Sequence, residues 1–402
     1  MAAGRGEKVR VRRCRAMVME PSEVSSLDVG DLLAGGDGLR TRVEIRVWAA
    51  HLDEHRLVSP EQARWLLQCS AQRWQTLPED PDSQALVLSL LELELLVAEE
   101  TSPITPENGP AHQAGPSDGH WWPLAAIHHR HSRWQGVDSV TDMERNQLVT
   151  AQDLRRQLGS PPPAVVDHPP AAGQVDLPDV PASALESLGR MRVTCRNFDS
   201  GRALSLGQLS AVLQQTFRAH AQLEPAPGLV FLKKNVPSAG GLHPLEACLL
   251  VQRVEGVAPG LYRYHPLRHA LTPVVPEQEF DAEMAGRFLA GQHWFADAAV
   301  LAILVCRFER SLWKYRNHRK VYRAMMLDAG HMSQALYMAA TECGLGAFVT
   351  SAINEIDIEK VLALDPLKEG PLAICGMGWR AQERTTAELD PLESVWRAPA
   401  GT

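Results

Sequence analysis

The stretch NVPSAGGLHPLEACLLV, residues 235–251, places two adjacent glycines, a histidine and two prolines directly before one of the most apolar runs of the chain. Glycine adopts positive φ at little cost and has no Cβ, so a backbone at Gly240 and Gly241 can approach a flat or charged ligand closely. Ser238 adds a hydroxyl beside these amides. A plain turn before an edge strand is the alternative interpretation of an isolated Gly-Gly pair.

Strands and helices alternate around this stretch in the C-terminal half. The patterns predict strands at 229–233, 246–254, 298–306 and 371–378, a hairpin over 258–274, and helices over 205–220, 276–292, 321–343 and 353–364. Strands interleaved with helices are typical of an α/β or α+β sandwich around one sheet. No GxGxxG follows any of these strands, so the dinucleotide fingerprint is missing.

The N-terminal half has a different pattern. Residues 9–19 and 40–50 alternate apolar and polar side chains in the period of strands. A helix should follow over 58–74, with Ser59 as its N-cap and Pro60 at its first position. A second helix is predicted over 82–100, capped by Asp82 or Ser83. Strands with short helices suggest a small winged-helix-like α/β module.

Two proline-rich and glycine-rich stretches, 102–120 and 159–181, interrupt these patterns and can bury little apolar surface. We therefore expect an N-terminal module over 1–150, a proline-rich linker over 151–184 and a C-terminal domain over 185–402.

Composition excludes several classes of protein. The net charge is -8, with 40 basic against 48 acidic residues, so the average surface repels nucleic acid. Seven scattered cysteines without a CxxC pair favour a reducing compartment and no zinc site, and adjacent His128, His129 and His131 lack the ligands that would complete a metal set. The most apolar run, 298–306, is far shorter than the roughly 20 residues of a membrane span. We expect a cytoplasmic protein.

Two groups of side chains outside the glycine loop suggest chemistry. Arg192, Thr194 and Arg196 share one side of an extended chain, and clustered guanidiniums beside a hydroxyl suit capture of a phosphate. Lys314 and Tyr315 form a candidate pair for proton transfer at the start of a helix whose charges are few beyond Asp328. For the arginine cluster, the alternative interpretation is a solvated basic end of the linker. For Lys314 and Tyr315, it is an exposed loop.

The ordered motifs RxTxRxF (192–198), PSAGGLHPLE, PGLYRYHP, WKYRNHRKVYRAMMLDAGH and GLGAFVTSAI resemble the nitroreductase superfamily, and within it the SagB-type dehydrogenases, or thiazole/oxazole oxidases, of peptide maturation. The resemblance covers about 188–380. It implies a homodimeric α+β fold that binds FMN at the subunit interface.

The resemblance also implies roles for individual residues. It assigns Lys314 and Tyr315 to proton transfer, and to FMN binding Arg192, Thr194, Arg196, Ser238, Ala239, Gly240, Gly241, Thr350, Ser351, Ala352 and Arg380. The segment VTSAI, 349–353, stands where relatives have PIGGF, so both glycines of that motif are replaced.

Residues 120–134 are similar to a segment that precedes the oxidase domain in a subgroup of peptide-maturation dehydrogenases. The module before them is a candidate leader-peptide binder that offers a strand edge or groove. The expected function is an FMN-dependent dehydrogenase that oxidises a modified ribosomal peptide, from azoline to azole, with a precursor peptide and its maturation enzymes as partners. An NAD(P)H-dependent nitro or quinone reductase and a non-catalytic peptide-binding scaffold are the alternatives.

Overall fold

The structure is a computed structural model, and it describes residues 9–99, 120–166, 173–274, 281 and 283–396. The strands are β1 Arg10–Arg13, β2 Met17–Leu27, β3 Leu39–Ala49, β4 Arg56–Val58, β5 Gln75–Thr76, β6 Leu96–Ala98, β7 Ala221–Ala226, β8 Leu229–Lys233, β9 Leu245–Val251, β10 Gly260–His265, β11 Ala270–Pro273, β12 Val300–Arg307, β13 Gly346–Thr350 and β14 Glu369–Gly378.

The helices follow the same chain order. They are α1 Val29–Leu33, α2 Pro60–Gln68, α3 Pro81–Glu92, α4 Pro123–His131, α5 Ser139–Arg145, α6 Ala151–Leu158, α7 Ala184–Arg190, α8 Leu206–Thr216, α9 Met284–Phe288, α10 His293–Ala296, α11 Phe308–Lys314, α12 Val321–Glu342 and α13 Glu355–Leu362. Within the described residues, no helix combines the length and apolar character that crossing a membrane requires.

The chain divides into two compact units. The first comprises Met1–Arg133, Phe308–Tyr322 and Asp365–Lys368, and the second comprises Trp134–Arg307, Arg323–Leu364 and Glu369–Thr402. The sequence-based boundaries at 150 and 184 stay a prediction. The break predicted at 102–120 lies outside the described residues except for His120.

The first unit contains two small sheets, with strand orders β5-β1-β6 and β2-β3-β4. Their core, together with α2 and α3, includes the fully buried Val11, Val47, Leu66, Val87 and Leu90. The predicted small α/β module is thus confirmed, and its likeness to a winged helix stays a prediction.

Local sequence signals determine where the two helices of this module begin. At α2, Ser59 is the N-cap and Pro60 occupies the first turn, as predicted, and Gln62 completes a reciprocal capping box with Ser59. The second helix, α3, begins at Pro81 with Asp80 as its N-cap, because the Asp80 carboxylate accepts a hydrogen bond from the Ser83 amide. The prediction of a helix as far as residue 100 is wrong: α3 ends at Glu92, Glu94 turns the chain with φ of 60°, and Leu96–Ala98 pairs with β1 as strand β6.

The second unit is built on a six-stranded sheet with the order β11-β10-β9-β12-β14-β13. Every neighbouring pair is antiparallel. The run predicted as a buried strand becomes β12, which pairs with β9 and β14 and is buried along Val300–Cys306. One face packs on α9 and α13 through residues such as Ile303 and Phe288. The predicted α+β architecture is confirmed.

Helices α6 and α12 also differ from expectation. Helix α6 lies within the range predicted as linker, where Thr150 and Asp153 form a capping box. Helix α12 was expected to be nearly enclosed, but one stripe is exposed in the single chain, formed by Arg323, Met326, Leu327, Gly330, His331 and Gln334. The three- and four-residue spacing of this stripe places it on one helical face.

Candidate functional site

The strand that carries the arginine cluster lies beside β13. Thr194 forms a parallel bridge with Ala347, and the Cys195 amide donates to the Ala347 carbonyl at 2.9 Å. Val193 and Cys195 are buried, whereas Arg192, Thr194 and Arg196 are half-buried. The alternation predicted for an extended chain is present, so the two arginines and the threonine project from the same side of the strand.

Both guanidinium groups of this strand lie near aromatic rings. The Cζ of Arg192 is 5.2 Å from the ring centroid of Tyr337, and the Cζ of Arg196 is 6.0 Å from that of Phe295. In the part of the chain that the structure describes, neither guanidinium forms an ion pair with a carboxylate. Two cations without a counter-charge are therefore held at half-exposed positions.

Tyr337 of α12 connects this strand to the sheet edge. Its hydroxyl lies 2.9 Å from the Thr194 hydroxyl and accepts a hydrogen bond from the Val349 amide at 3.2 Å. Burial raises the pKa of Tyr337 despite these hydrogen bonds and the nearby Arg192 charge. The phenol thus stays neutral, and one side chain fixes both the arginine strand and β13.

The glycine loop is fixed by a second residue of α12. Asp328, which is 5% exposed, accepts hydrogen bonds from the Ser238 hydroxyl at 2.5 Å and from the Ala239 amide at 3.1 Å. Burial raises the pKa of this carboxyl, although the two donors and His331 act in the opposite direction. The carboxyl therefore determines where the loop begins.

The loop uses its own polar groups internally. The His243 amide donates to the Ser238 hydroxyl oxygen at 2.9 Å, and the Gly241 amide donates to the Ser238 carbonyl at 3.0 Å. Gly240 and Gly241 have φ of 62° and 70°, the left-handed conformation that favours glycine. At Gly240 and Gly241 the loop has a backbone surface without Cβ atoms. Ser238 and Ala239 shape the turn that leads into it.

Helix α12 therefore carries the anchors of both sequence motifs within one chain. Asp328 and Tyr337 are nine residues apart, which corresponds to about 13.5 Å along the helix axis.

The segment 350–352 forms a fixed turn after β13. The Thr350 hydroxyl donates to Gln292 Oε1 at 3.1 Å and accepts from the Ala352 amide at 3.2 Å. The Gln292 amide group donates in turn to the Ala352 carbonyl at 2.6 Å. Ser351 is exposed. The buried Gln292 thus holds both ends of this turn.

Arg380 has partners of its own. It donates to a carboxylate oxygen of Glu388 at 2.6 Å and to the Val193 carbonyl at 2.6 Å. The Glu388 side chain is fully buried in this ion pair. Arg380 therefore fixes the backbone of the arginine strand.

Lys314 and Tyr315 belong to the first unit. Lys314 ends α11 and is exposed, and its Nζ lies 5.3 Å from the ring centroid of the half-buried Tyr315. The Tyr315 amide donates to the Ser311 carbonyl at 3.0 Å, and the ring lies 6.0 Å from that of His318.

The histidine cluster of the first unit has a packing role. His129 lies within hydrogen-bonding distance of the Tyr322 hydroxyl at 3.0 Å and the Pro366 carbonyl at 2.8 Å, and it stacks on the buried Trp121. Burial lowers the pKa of His129 to about 3, so its imidazole is neutral. His131 lies 3.0 Å from the Ala49 carbonyl.

Sequence patterns missed four side chains of this site: Tyr337, Asp328 as a loop anchor, Gln292 and Glu388. Only Asp328 carried a signal, because it is one of the few charged residues of its helix. Each of the other three reaches the site through a contact more than 50 residues away in sequence, which no local pattern encodes.

The residues present fit a phosphorylated, flat cofactor such as FMN. Arg192 and Arg196 supply the charge for a phosphate, and the hydroxyl of Thr194 lies on the same side of the strand. Gly240 and Gly241 provide the Cβ-free approach that an aromatic ring system needs.

Sequence comparison with known proteins identifies the family of this chain. A profile described as the Nitroreductase family matches residues 190–379. The chain is 32% identical over 205 residues to "Putative nitroreductase MJ1384" of Methanocaldococcus jannaschii, covering 51% of this chain and 96% of that protein.

Two further relatives are named for peptide processing. The trifolitoxin-processing protein TfxB of Rhizobium leguminosarum bv. trifolii is 32% identical over 144 residues, which is 35% of this chain and 38% of that protein. The microcin B17-processing protein McbC of Escherichia coli is 29% identical over 187 residues, 44% and 63% of the two chains. The chain thus spans less than two thirds of either processing protein.

The family profile and the match to "Putative nitroreductase MJ1384" together show that this chain belongs to the nitroreductase family.

Proposed function

We propose that the chain is an FMN-dependent dehydrogenase that oxidises a modified, ribosomally made peptide, converting an azoline ring to an azole. The observation that carries the proposal is the arrangement on α12, where Tyr337 anchors the arginine strand and Asp328 anchors the glycine loop. The names of two relatives, both processing proteins of peptide products, support the substrate class.

The cofactor-binding roles follow from the side chains available. Arg192 and Arg196 would bind the phosphate, with Thr194 as a hydroxyl donor. Gly240 and Gly241 would let the backbone lie against the ring system, and the turn 350–352 would border it. When bound, FMN would supply a hydride acceptor, which no amino-acid side chain provides.

The proton that leaves with the hydride needs a base from the protein. On the family resemblance, Lys314 or Tyr315 would accept it. A proton and a hydride together account for the two hydrogens that an azoline loses on becoming an azole.

The first unit would recognise the precursor peptide. β2 is an edge strand, and the hydrogen bond from the Ala50 amide to the Ala16 carbonyl fixes the register of its pairing with β3. In that register, the odd-numbered residues of β2 direct their backbone groups away from β3. An extended peptide could add to this edge as a further strand.

A groove lies next to the edge of β2. It has a volume of about 520 Å³ and is lined by β2 residues together with Trp48, Ile127, His128 and His131. Its apolar lining, with Met19 and Pro21 on the β2 side, would take apolar side chains of the peptide. Maturation enzymes acting on the same peptide would be further partners.

The active form would be a homodimer. The exposed stripe of α12 contains Met326 and Leu327, which are 39% and 65% exposed in the single chain. Exposed apolar side chains on a long helix whose other faces are largely buried are the kind of surface that a second copy covers.

An NAD(P)H-dependent nitro or quinone reductase is the second candidate. The observation that favours it is the match to "Putative nitroreductase MJ1384", of which the chain covers 96%. Such an enzyme would share the flavin site and would need no peptide.

The experiment that tests the proposal uses the purified full-length chain. Its visible absorption spectrum should show bound flavin, and incubation with a thiazoline-containing peptide should bleach the flavin and lower the peptide mass by two hydrogens. Tyr315→Phe and Lys314→Met should retain flavin and lose peptide oxidation, while Lys320→Met, an exposed lysine of the same segment, should behave as the unmodified chain.

Two results would contradict the proposal. Rapid bleaching by NADPH, with no reaction of the peptide, would establish the reductase instead. Colourless protein that still binds a leader peptide would indicate a scaffold without redox function.

A further inference from the structure

The C-terminal segment 385–396 lies beyond the region matched by the family profile and packs on the arginine strand. Several hydrogen bonds join this segment to Asn197 at the end of the strand. The side-chain oxygen of Asn197 accepts hydrogen bonds from the amides of Thr385 and Thr386 at 2.8 and 2.7 Å, and the side-chain amide group donates to the Thr386 carbonyl at 2.8 Å. The segment is thus aligned with the end of the strand.

Glu388 is the centre of the contact. One of its carboxylate oxygens accepts hydrogen bonds from the Arg196 amide at 2.5 Å, from the Asn197 amide at 3.1 Å and from the Asn197 side chain at 2.8 Å. The other accepts from Arg380 and from the indole of Trp396, both at 2.6 Å. Five donors converge on one fully buried carboxylate.

The ionised form of Glu388 is the one that these donors require. Burial alone would raise its pKa, but the hydrogen bonds and the Arg380 charge outweigh it and hold the pKa below the usual value. A protonated or amide side chain at this position would present a donor toward other donors. The arrangement therefore depends on a carboxylate.

The segment also contacts the side chain of Arg196. The Arg196 guanidinium donates to the Ala387 carbonyl at 3.4 Å, and the backbone amide of the same arginine is held by Glu388. Asp390 keeps the segment folded, because its carboxylate accepts from the amides of Ser394, Val395 and Trp396. That turn delivers the Trp396 indole to Glu388.

We propose that Glu388 is a positioning residue for the phosphate of the cofactor, acting by holding Arg196 in place. The inference rests on the proposed flavin site and adds to it a buried carboxylate outside the family-matched region. Its effect is directed at one end of the cofactor, since within the described residues its hydrogen bonds reach the arginine strand and not the glycine loop.

The test compares FMN with riboflavin, which differ only in the phosphate. Affinities of the full-length apoprotein are measured by quenching of flavin fluorescence. Glu388→Gln should weaken FMN binding about tenfold, the order expected from losing a charge-assisted contact, and change riboflavin binding less than about twofold. Glu383→Gln, the same change at an exposed carboxylate of the C-terminal region, should alter neither.

Equal losses of FMN and riboflavin affinity, or no loss, would overturn the inference. Should Glu388→Gln fail to fold by circular dichroism, Glu388→Asp carries the same test, because it keeps the charge and shortens its reach; the same selective loss of FMN is expected, and an unchanged ratio overturns the inference. If the unmodified chain binds neither flavin, the proposed function itself fails. That outcome is distinct from the one that overturns the inference alone, which is a flavin-binding protein whose FMN affinity does not depend on the residue at position 388.

Discussion

At the scale of single residues, the glycine loop is preceded by a buried amine. Lys234 is 3% exposed, whereas its neighbour Lys233 is exposed. Burial lowers the pKa of Lys234 to about 8, against the opposing influence of Glu246. An ammonium group buried beside the candidate site therefore costs stability near neutral pH.

This burial predicts a specific pH dependence of stability. Between about pH 8 and the value near 10.5 at which an unfolded lysine titrates, the unfolded chain binds more protons at this position than the folded chain. The contribution of Lys234 to the free energy of unfolding should therefore rise with pH, by about 1–2 kcal/mol from pH 8 to 9.5, whereas the buried thiols of Cys195, Cys248 and Cys375, whose pKa values burial raises, contribute in the opposite direction. The thiols titrate alike in Lys234→Met, so the stability of the unmodified chain relative to this variant should increase by about 1–2 kcal/mol from pH 8 to 9.5, measured by urea denaturation.

Lys233→Met is the matched control and should keep the pH dependence of the unmodified chain. A slope that is identical in the Lys234→Met variant and the unmodified chain would show that the amine is not the source.

The sequence alone predicted which side chains of the arginine strand share one side, and that the glycine loop has positive φ. Arg192, Thr194 and Arg196 follow from strand alternation, and the positive φ of Gly240 follows from its residue type. Their supports did not follow. Tyr337 and Glu388 reach the arginine strand from 143 and 192 residues away in sequence, and such contacts exist only once the sheet has formed.

At the scale of elements, the edge of the six-stranded sheet depends on one close approach. Phe348 of β13 lies opposite Gly376 of β14, and a Cβ at Gly376 would lie 1.9 Å from Cε1 of Phe348. The Phe348 ring cannot move away easily, because it is fully buried and stacks on Phe295 with centroids 3.9 Å apart. The glycine is therefore required by the ring.

Gly376→Ala should destabilise the protein by about 1–3 kcal/mol, the usual cost of overpacking a core. Gly286→Ala is the control, since nothing lies within 4 Å of a Cβ there and Gly286 is in α9; it should be neutral or stabilise by up to about 1 kcal/mol. Urea denaturation measures both changes. Equal stabilities of the two variants would contradict the ring placement.

Elements with a strong internal pattern were the predictable ones. Strand β12, the hairpin β10–β11 and helix α12 follow from apolar runs, turn residues and length. Helix α5 was missed because its position depends on docking: the Val137 amide donates to Asn354 Oδ1 and the Ser139 amide to the Ala290 carbonyl. Helix α6 had a local signal, the capping box of Thr150 and Asp153, within a proline-rich context that suggested a linker.

At the scale of the whole molecule, α12 combines three tasks that constrain one another. Its buried faces anchor the glycine loop through Asp328 and the arginine strand through Tyr337. Its remaining face carries the exposed stripe that includes Leu327. Because both anchors are on the helix that would meet a second copy, dimer formation and cofactor binding should be coupled.

This coupling predicts the effect of a charge at the centre of the stripe. Leu327→Glu should convert a dimer to a monomer, because an unpaired carboxylate would be buried at the interface, and FMN affinity should fall with it. Light scattering after gel filtration measures the mass. Leu158→Glu, at a leucine that is 70% exposed on α6, should remain dimeric and bind FMN normally. A Leu327→Glu protein that stays dimeric would exclude this face, and an unmodified chain that is monomeric while binding FMN would refute the coupling.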